Sequence, residues 1–254
     1  MKFSIVCPIK DEVDFIPRTF PSYYSIHPDE VIVCLDKPAP ANVVRTVTKV
    51  AEEFGARNIT KIIEVERNPK YSFHQAWVRR NGFRATRNDT ILTVDIDLIL
   101  DPRIKNHFHL LENDVKLVSF AKFSVTWHGV VAYLVQRLLR RERFTGLYLF
   151  SKSAWLETED EASLERIPRG EDTHLRDSLA RKYRDAFVAD VRNVVIRPKE
   201  NRKYQFLMGW NRWKIRRTPI VKVAISSFLF YRPQMMVGYL EARYRKARVA
   251  QKNT

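Results

Sequence analysis

The first half of the chain alternates short apolar runs with segments whose apolar residues recur every three or four positions. Lys2 to Pro8 is an apolar run closed by proline, the pattern of a strand buried on both faces. Glu30 to Leu35, Lys61 to Val65 and Thr90 to Val94 repeat it. Between them, Ala41 to Phe54 sets Val43, Val44, Val47, Val50, Ala51 and Phe54 at helical spacing, with Gly55 as a stop. Asp14 to Tyr24, with Pro17 near its first turn, and Phe73 to Thr86 read as further helices. Strands alternating with helices predict βαβ units and a mostly parallel sheet.

The second half is less regular. Val115 to Ser124 and Leu147 to Ser151 read as strands and Ala186 to Ile196 as an extended segment, with helices at Val130 to Arg143 and Asp172 to Tyr183. From Lys203 to Arg217, basic residues interleave with Tyr204, Phe206, Trp210 and Trp213. Thr218-Pro219 can cap and open a helix to Tyr231. Pro233 interrupts it, and Gln234 to Ala250 reads as a final basic helix. The shift in composition divides the chain into a main domain, residues 1–202, and a helical appendage, residues 203–254.

Ligands of open α/β sheets bind at the carboxyl ends of the strands. The first predicted strand is followed by Asp11 and Glu12, the second ends at Asp36, and the fourth runs into Asp95 and Asp97. Residues two apart in an extended segment share a face, so Asp95 and Asp97 can serve one ion. Hard cations such as Mn²⁺ and Mg²⁺ take oxygen ligands, often one or two carboxylates plus substrate phosphates. An Asp-x-Asp also occurs at strand-to-turn transitions that bind nothing. The apolar Leu98 to Leu100 that follows argues against a solvated turn.

The 254 residues, 45% of them hydrophobic, can bury one sizeable α/β core. With 45 Lys and Arg against 29 Asp and Glu, the net charge of +16 favours anionic partners. The bases are spread along the chain and no nucleic-acid-binding motif is visible, so nucleic acid is not the expected partner. Neither a Walker-type loop nor a dinucleotide glycine fingerprint is present. Cys7 and Cys34 sit in apolar runs and are expected to be buried free thiols, which fits a reducing compartment. His74, His128 and His174 lack metal-ligand spacing and are expected to be ordinary.

The order of these features resembles the inverting family-2 glycosyltransferases of the GT-A fold. Ser4-Ile5-Val6-Cys7-Pro8-Ile9-Lys10-Asp11-Glu12 is similar to the family's opening strand, proline and acidic turn. Val31 to Asp36 resembles its second strand, whose terminal Asp contacts the nucleoside. Arg79-Arg80-Asn81-Gly82 is similar to its Ala-Arg-Asn-x-Gly segment, and Thr90 to Asp97 falls where its metal-binding strand belongs. Phe144-Thr145-Gly146 resembles the acceptor-side turn, and Gly170-Glu171-Asp172-Thr173 the Glu-Asp motif that precedes a helix. The likeness covers residues 2–215. It departs where the second strand continues as Asp36-Lys37-Pro38 rather than Asp-Gly-Ser. Gly209-Trp210-Asn211-Arg212-Trp213 lacks the Gln of the processive members' signature, which argues against a processive polymerase.

The resemblance implies a GT-A-like, Rossmann-like mixed sheet, mostly parallel and flanked by helices, with residues 1–202 as the catalytic domain. It implies hexosyl transfer, with inversion, from a UDP- or GDP-linked diphospho-sugar to an acceptor glycan or lipid. It makes Asp97, with Asp95, the ligands of Mn²⁺ or Mg²⁺. Pro8, Lys10, Glu12, Asp36, Arg79, Asp95 and Arg212 become donor-binding residues, and Asp172 the base, supported by Glu171. Thr145, Gly146 and Trp213 fall on the acceptor side. One alternative is a nucleotidyltransferase on a related sheet, although Pro8 to Glu12 has no Gly-rich loop. Another is a non-catalytic homologue that binds nucleotide or nucleic acid.

Interleaved bases and aromatics also suit a membrane interface. Ile220, Val221, Val223, Ala224, Phe228 and Leu229 are expected to form one apolar helix face there, extended by Met235, Met236 and Tyr239. The alternative is a helix pair packed on the core. A lipid-phosphate acceptor would account for both tail and charge. Met1 to Pro8 does not read as a secretory leader, and no window reaches the roughly 18 apolar residues of a span. The expected location is cytoplasmic or peripheral at the inner face of the membrane.

Overall fold

The computed structural model describes residues 1–112, 114–124, 127–139, 147–160, 165, 171–196, 202–214, 217–229 and 233–252. Thr145, Gly146 and Gly170 lie outside them, as does the side chain of Glu171.

Strands β1 (Phe3–Ile9), β2 (Glu30–Asp36), β3 (Thr60–Val65) and β4 (Thr90–Thr93) pair in parallel in the order β3-β2-β1-β4. Helices α1 (Ile16–Ser25), α2 (Ala41–Glu53) and α3 (His74–Ala85) make the crossovers. The sheet continues through β7 (Tyr148–Ser151), β6 (Val115–Ser124), β8 (Arg184–Val195) and β5 (Leu98–Ile99), and is therefore mixed. β7 is antiparallel to β4 and β6, and β5 to β8. Helices α4 (Trp127–Leu139), α5 (Lys152–Thr158) and α6 (Glu171–Ala180) complete this part of the chain.

Alternation along the strands divides the core in two. Phe3, Ile5, Cys7 and Ile9 of β1 pack with Val31, Val33 and Leu35 of β2 against α1 and α2. Val6, Ile32, Cys34 and Ile91 face the other way, toward Val78 and Phe83 of α3, Trp155 of α5 and Leu175 and Leu179 of α6. Helices thus flank both faces of the sheet. α3 sits close because Gly82 faces it: a Cβ there would meet Cys34 Sγ at 2.3 Å and Val6 Cγ1 at 2.6 Å. Both cysteines are buried free thiols.

The described residues form two compact units, Met1–Phe123 with Gln136–Ile196, and Ser124–Val135 with Arg197–Thr254. The second unit therefore draws on a mid-chain segment that the shift in composition does not mark. It contains α7 (Arg202–Lys214), α8 (Ile220–Leu229) and α9 (Pro233–Lys252). Pro233 opens α9, where its missing N–H costs no hydrogen bond. α7 and α9 cross backbone to backbone: a Cβ on Gly209 would meet Met235 O at 1.7 Å, and one on Gly238 would meet Phe206 O at 2.0 Å. Val223, Met235 and Tyr239 form this unit's buried cluster. The expected apolar face is thereby corrected in part: these three point inward, whereas Val221, Ala224 and Phe228 of that face are exposed, together with Ile225.

Candidate active site

β1 and β2 end level, and β4 ends three residues short of them. Ile9 stands opposite Leu35 and Val6 opposite Thr93, and the Val94 N–H extends the ladder by donating to Val6 O at 3.0 Å. The acids that follow share one rim: Asp11 and Glu12 after β1, Asp36 at the end of β2, Asp95 and Asp97 after β4. Pro8 is buried in β1, where it faces Cys34. Lys10 is exposed, and its N–H donates to Glu12 Oε2 at 3.0 Å, tightening the turn.

Asp95-Ile96-Asp97 is a turn between β4 and β5. Ile96 and Leu98 are buried while Asp95 and Asp97 are half-buried, so both carboxylates leave the core on the two-residue spacing. Their backbones are pinned. Tyr23 Oη donates to Asp95 O at 2.9 Å, and the Ile196 N–H donates to Asp97 O at 2.8 Å. Burial holds the Tyr23 phenol well above its ordinary pKa, with Cys7, Asp97 and Asp95 adding to the effect, so it remains a donor.

Arg79 of α3 reaches the same turn. Its Nη2 donates to Asp95 Oδ1 at 2.7 Å and its Nη1 to Thr93 Oγ1 at 3.3 Å. The guanidinium is 4% exposed and the carboxylate 36%, so a buried cation anchors a carboxylate that still meets solvent. Two half-exposed carboxylates on a fixed backbone are suitable donors for a hard cation. Among the described residues no three His, Cys, Asp or Glu side chains make a closed metal cage. A hard cation can take one or two carboxylates and complete its shell with phosphate oxygens and water.

Behind Arg79 lies a cavity of about 30 Å³. Arg79, Arg80, Glu159, Asp172, His174 and Ser178 line it, together with apolar side chains of α3, α5 and α6. Asp172, at the start of α6, accepts from the Thr173 N–H at 2.9 Å. Glu159 binds Arg80 Nε at 2.5 Å in a pair whose side chains are 7% and 4% exposed, and Arg80 also donates to Tyr71 Oη. His174 has a lowered pKa, chiefly from burial, and its Nε2 lies 3.3 Å from Ser178 Oγ. One residue, Arg79, thus contacts Asp95 and borders the cavity that Asp172 lines.

Three contributors escaped the sequence reading. His74 is paired rather than ordinary: it opens α3, and its Nε2 lies 3.2 Å from Asp36 Oδ1. Its place at the start of a helix after a strand on the same rim was the available signal. Tyr23 and Glu159 act across 72 and 79 residues of chain, and no local pattern marks them. Arg212 and Trp213 stand on α7 in the second unit. There the Trp213 ring has the Arg217 and Arg243 guanidinium carbons at 5.3 and 5.6 Å from its centroid.

No curated protein matches the chain in sequence. Its fold is similar to that of a mannosyltransferase from Pyrobaculum calidifontis solved with GDP-Man and Mn²⁺, with a TM-score of 0.65 and 16% identity over 97% of this chain and 75% of that one. S. aureus TarS 1-349 is similar at a TM-score of 0.58 and 14% identity, over 98% and 73% of the two chains. The same TarS fragment in complex with UDP-GlcNAc aligns at a TM-score of 0.56 and 14% identity, over 84% and 67%. The family model for glycosyl transferase family 2 matches residues 4–162, a span that carries β1, β4, Arg79 and the Asp95-Asp97 turn. The chain is a glycosyltransferase and belongs to glycosyl transferase family 2.

Proposed function

We propose that the chain transfers a hexose from a UDP- or GDP-linked diphospho-sugar to an acceptor hydroxyl or lipid phosphate, with inversion at the anomeric carbon. The observation that carries this reading is the reach of Arg79 from the Asp95 carboxylate to the cavity lined by Asp172. It supports reading Asp95 as part of the donor anchor and Asp172, which lines the same cavity as Arg79, as the base. The family match favours this over the nucleotidyltransferase alternative.

In this scheme Asp97, with Asp95 beside it, holds Mn²⁺ or Mg²⁺. When bound, the cation supplies Lewis-acid neutralisation of the leaving diphosphate. Arg79 keeps the Asp95 carboxylate oriented without itself needing exposure. Asp36, with His74, lies toward the nucleoside end of the rim, and Pro8, Lys10 and Glu12 shape the loop beside it. Asp172 takes the acceptor hydroxyl's proton as the acceptor oxygen bonds to the anomeric carbon and the bond to the diphosphate oxygen breaks. The Thr173 N–H fixes the orientation of that carboxylate. Arg212 as a diphosphate contact, Glu171 as support for the base, and Thr145, Gly146 and Trp213 on the acceptor side rest on family resemblance alone.

The test is hydrolysis of UDP- and GDP-sugars by the purified chain with and without Mn²⁺. A metal-dependent activity that Asp97→Ala abolishes is the expected result. Activity indifferent both to the metal and to Asp97→Ala would refute the scheme.

A further inference from the structure

We propose that the second unit docks on an anionic lipid surface, with the outer faces of α8 and α9 inserted among the headgroups. The proposal concerns the second unit and does not depend on the reaction catalysed at the candidate active site.

The first observation is the distribution of charge. Residues 197–254 hold fifteen Lys and Arg against two Asp and Glu, while residues 1–196 hold thirty against twenty-seven. Bases occur along the whole chain, but +13 of the net +16 belongs to its last 58 residues. A main domain of nearly balanced charge is thus followed by a segment that is almost purely cationic. Such a segment near an anionic leaflet gains roughly fivefold in affinity for each base close to the surface.

The second observation is where the apolar side chains point. α8 buries Val223 and Ser227 on one side. Val221, Ile225 and Phe228, at spacings of four and three, are 63%, 53% and 86% exposed. α9 repeats the arrangement. It buries Met235, Tyr239 and Ala242, and exposes Val237, Leu240 and Tyr244, again at spacings of three and four. Both helices are therefore apolar twice over, once toward the unit's own core and once toward solvent. Lys222, next to Val221, and Arg243, next to Tyr244, are exposed. The unit's aromatic contacts already hold Arg217 and Arg243 on Trp213.

Cationic residues beside an exposed aliphatic and aromatic stripe match a helix lying in the interfacial plane. α8 has ten residues, about half the length of a bilayer span, and no described helix is long and apolar enough to cross a membrane. Two other occupants fit less well. A nucleic acid would satisfy the charge but leave Val221, Ile225 and Val237 without an apolar partner. A second copy of the chain would bring one cationic segment against another.

The test is vesicle flotation of the full chain. It should float with vesicles of phosphatidylcholine containing phosphatidylglycerol, much less with phosphatidylcholine alone, and less at about 1 M salt than at about 0.1 M. The triple variant Val221→Ser, Ile225→Ser, Phe228→Ser should lose at least about tenfold in vesicle affinity. Lys222→Gln should lose about fivefold. All these positions are exposed, so the melting temperature should not move; Phe228→Trp gives an independent readout. Its added fluorescence should shift to the blue on vesicle addition and be quenched by brominated lipid. Failure of the wild-type chain to float with anionic vesicles would overturn the proposal. So would equal flotation of the triple variant, or a triple variant that turns a dimer into a monomer while vesicle binding stays unchanged. A wild-type chain that binds RNA and is released from vesicles by it, with the triple variant behaving identically, would also refute it and assign the surface to nucleic acid.

Discussion

Gly82 is the most economical place to test how the candidate site is held. In Gly82→Ala the new methyl group would sit 2.3 Å from Cys34 Sγ and 2.6 Å from Val6 Cγ1, whereas relaxed contact is about 3.5–4.0 Å. Neither neighbour can yield easily. Both are fully buried in adjacent central strands, and Val6 is β-branched and stiff at χ1. The helix has to move instead. Overpacking of this kind costs about 1–3 kcal/mol. Against it stands the better helix propensity of alanine, about 0.5–1 kcal/mol near the end of α3. At the middle of both ranges the clash wins, leaving a net loss of about 1 kcal/mol, or roughly 2–4 °C in melting temperature for a chain of this size. Arg79 lies three residues earlier on the same helix, and its 2.7 Å bond to Asp95 does not survive a shift of the order of 1 Å. Nucleotide-sugar turnover should therefore fall further than stability does. Cys34→Ala in the Gly82→Ala background removes the closer contact and should return at least half of the lost stability, a coupling readable by thermal melts of the four proteins. A Gly82→Ala protein with unchanged melting temperature and full activity would refute the packing argument.

Burial pushes the Cys34 thiol up to about 12 and raises that of Cys7 well above its ordinary value. Iodoacetamide at pH 8 should therefore leave both unmodified in the native protein and alkylate both in urea. Because the folded Cys34 value lies above the unfolded one of about 8.5, that thiol favours the folded state below that pH, and its contribution is lost as pH rises from about 9 to about 12; Cys7 acts in the same direction. Asp101, held by Arg103 and the Arg192 N–H, has its carboxyl lowered to about 2. Its folded value lies below the unfolded one, so its contribution is present above about pH 4 and is lost as pH falls toward 2. Arg103 is 62% exposed and its share is screened, so Asp101→Ala should cost about 1–2 kcal/mol at neutral pH and almost nothing at pH 2, in urea titrations. Glu159→Ala removes the carboxylate of a buried ion pair, leaving Arg80 its bond to Tyr71 Oη, and should cost about 3–5 kcal/mol in the same assay. Arg80→Met with Glu159→Leu should recover most of that loss.

The parallel half of the sheet was legible because its strands are continuous apolar runs and α2 has a clean helical period. The Asp95-Asp97 spacing was legible for a similar reason: the burial alternation across the turn follows the chain itself. What was missed depends on distant partners. β5 is two residues long and exists through its pairing with Val194 and Val195 of β8. The 3-10 segment Pro102–Leu111 and α5 did carry local start signals, the Asp101 and Ser151 side chains that cap their first N–H groups. Those signals were hidden because each cap ends or closely follows a strand. In the C-terminal segment, helical spacing alone could not say which of two apolar faces turns inward. Val223 and Phe228 look equivalent by sequence and differ only because Met235 and Tyr239 cover one of them.

The central claim is that the Asp95-Asp97 rim anchors a nucleotide diphosphate through a divalent cation. Thermal melts with UDP, GDP, CMP and TDP, each with and without Mn²⁺, test it most directly. A nucleotide at about 100 times its dissociation constant adds about 2.7 kcal/mol. For a chain of this size that is a rise of roughly 5–10 °C. Such a rise is expected for UDP or GDP, dependent on Mn²⁺ and absent in Asp97→Ala. No response to any of the four, or an equal response in Asp97→Ala, would contradict it.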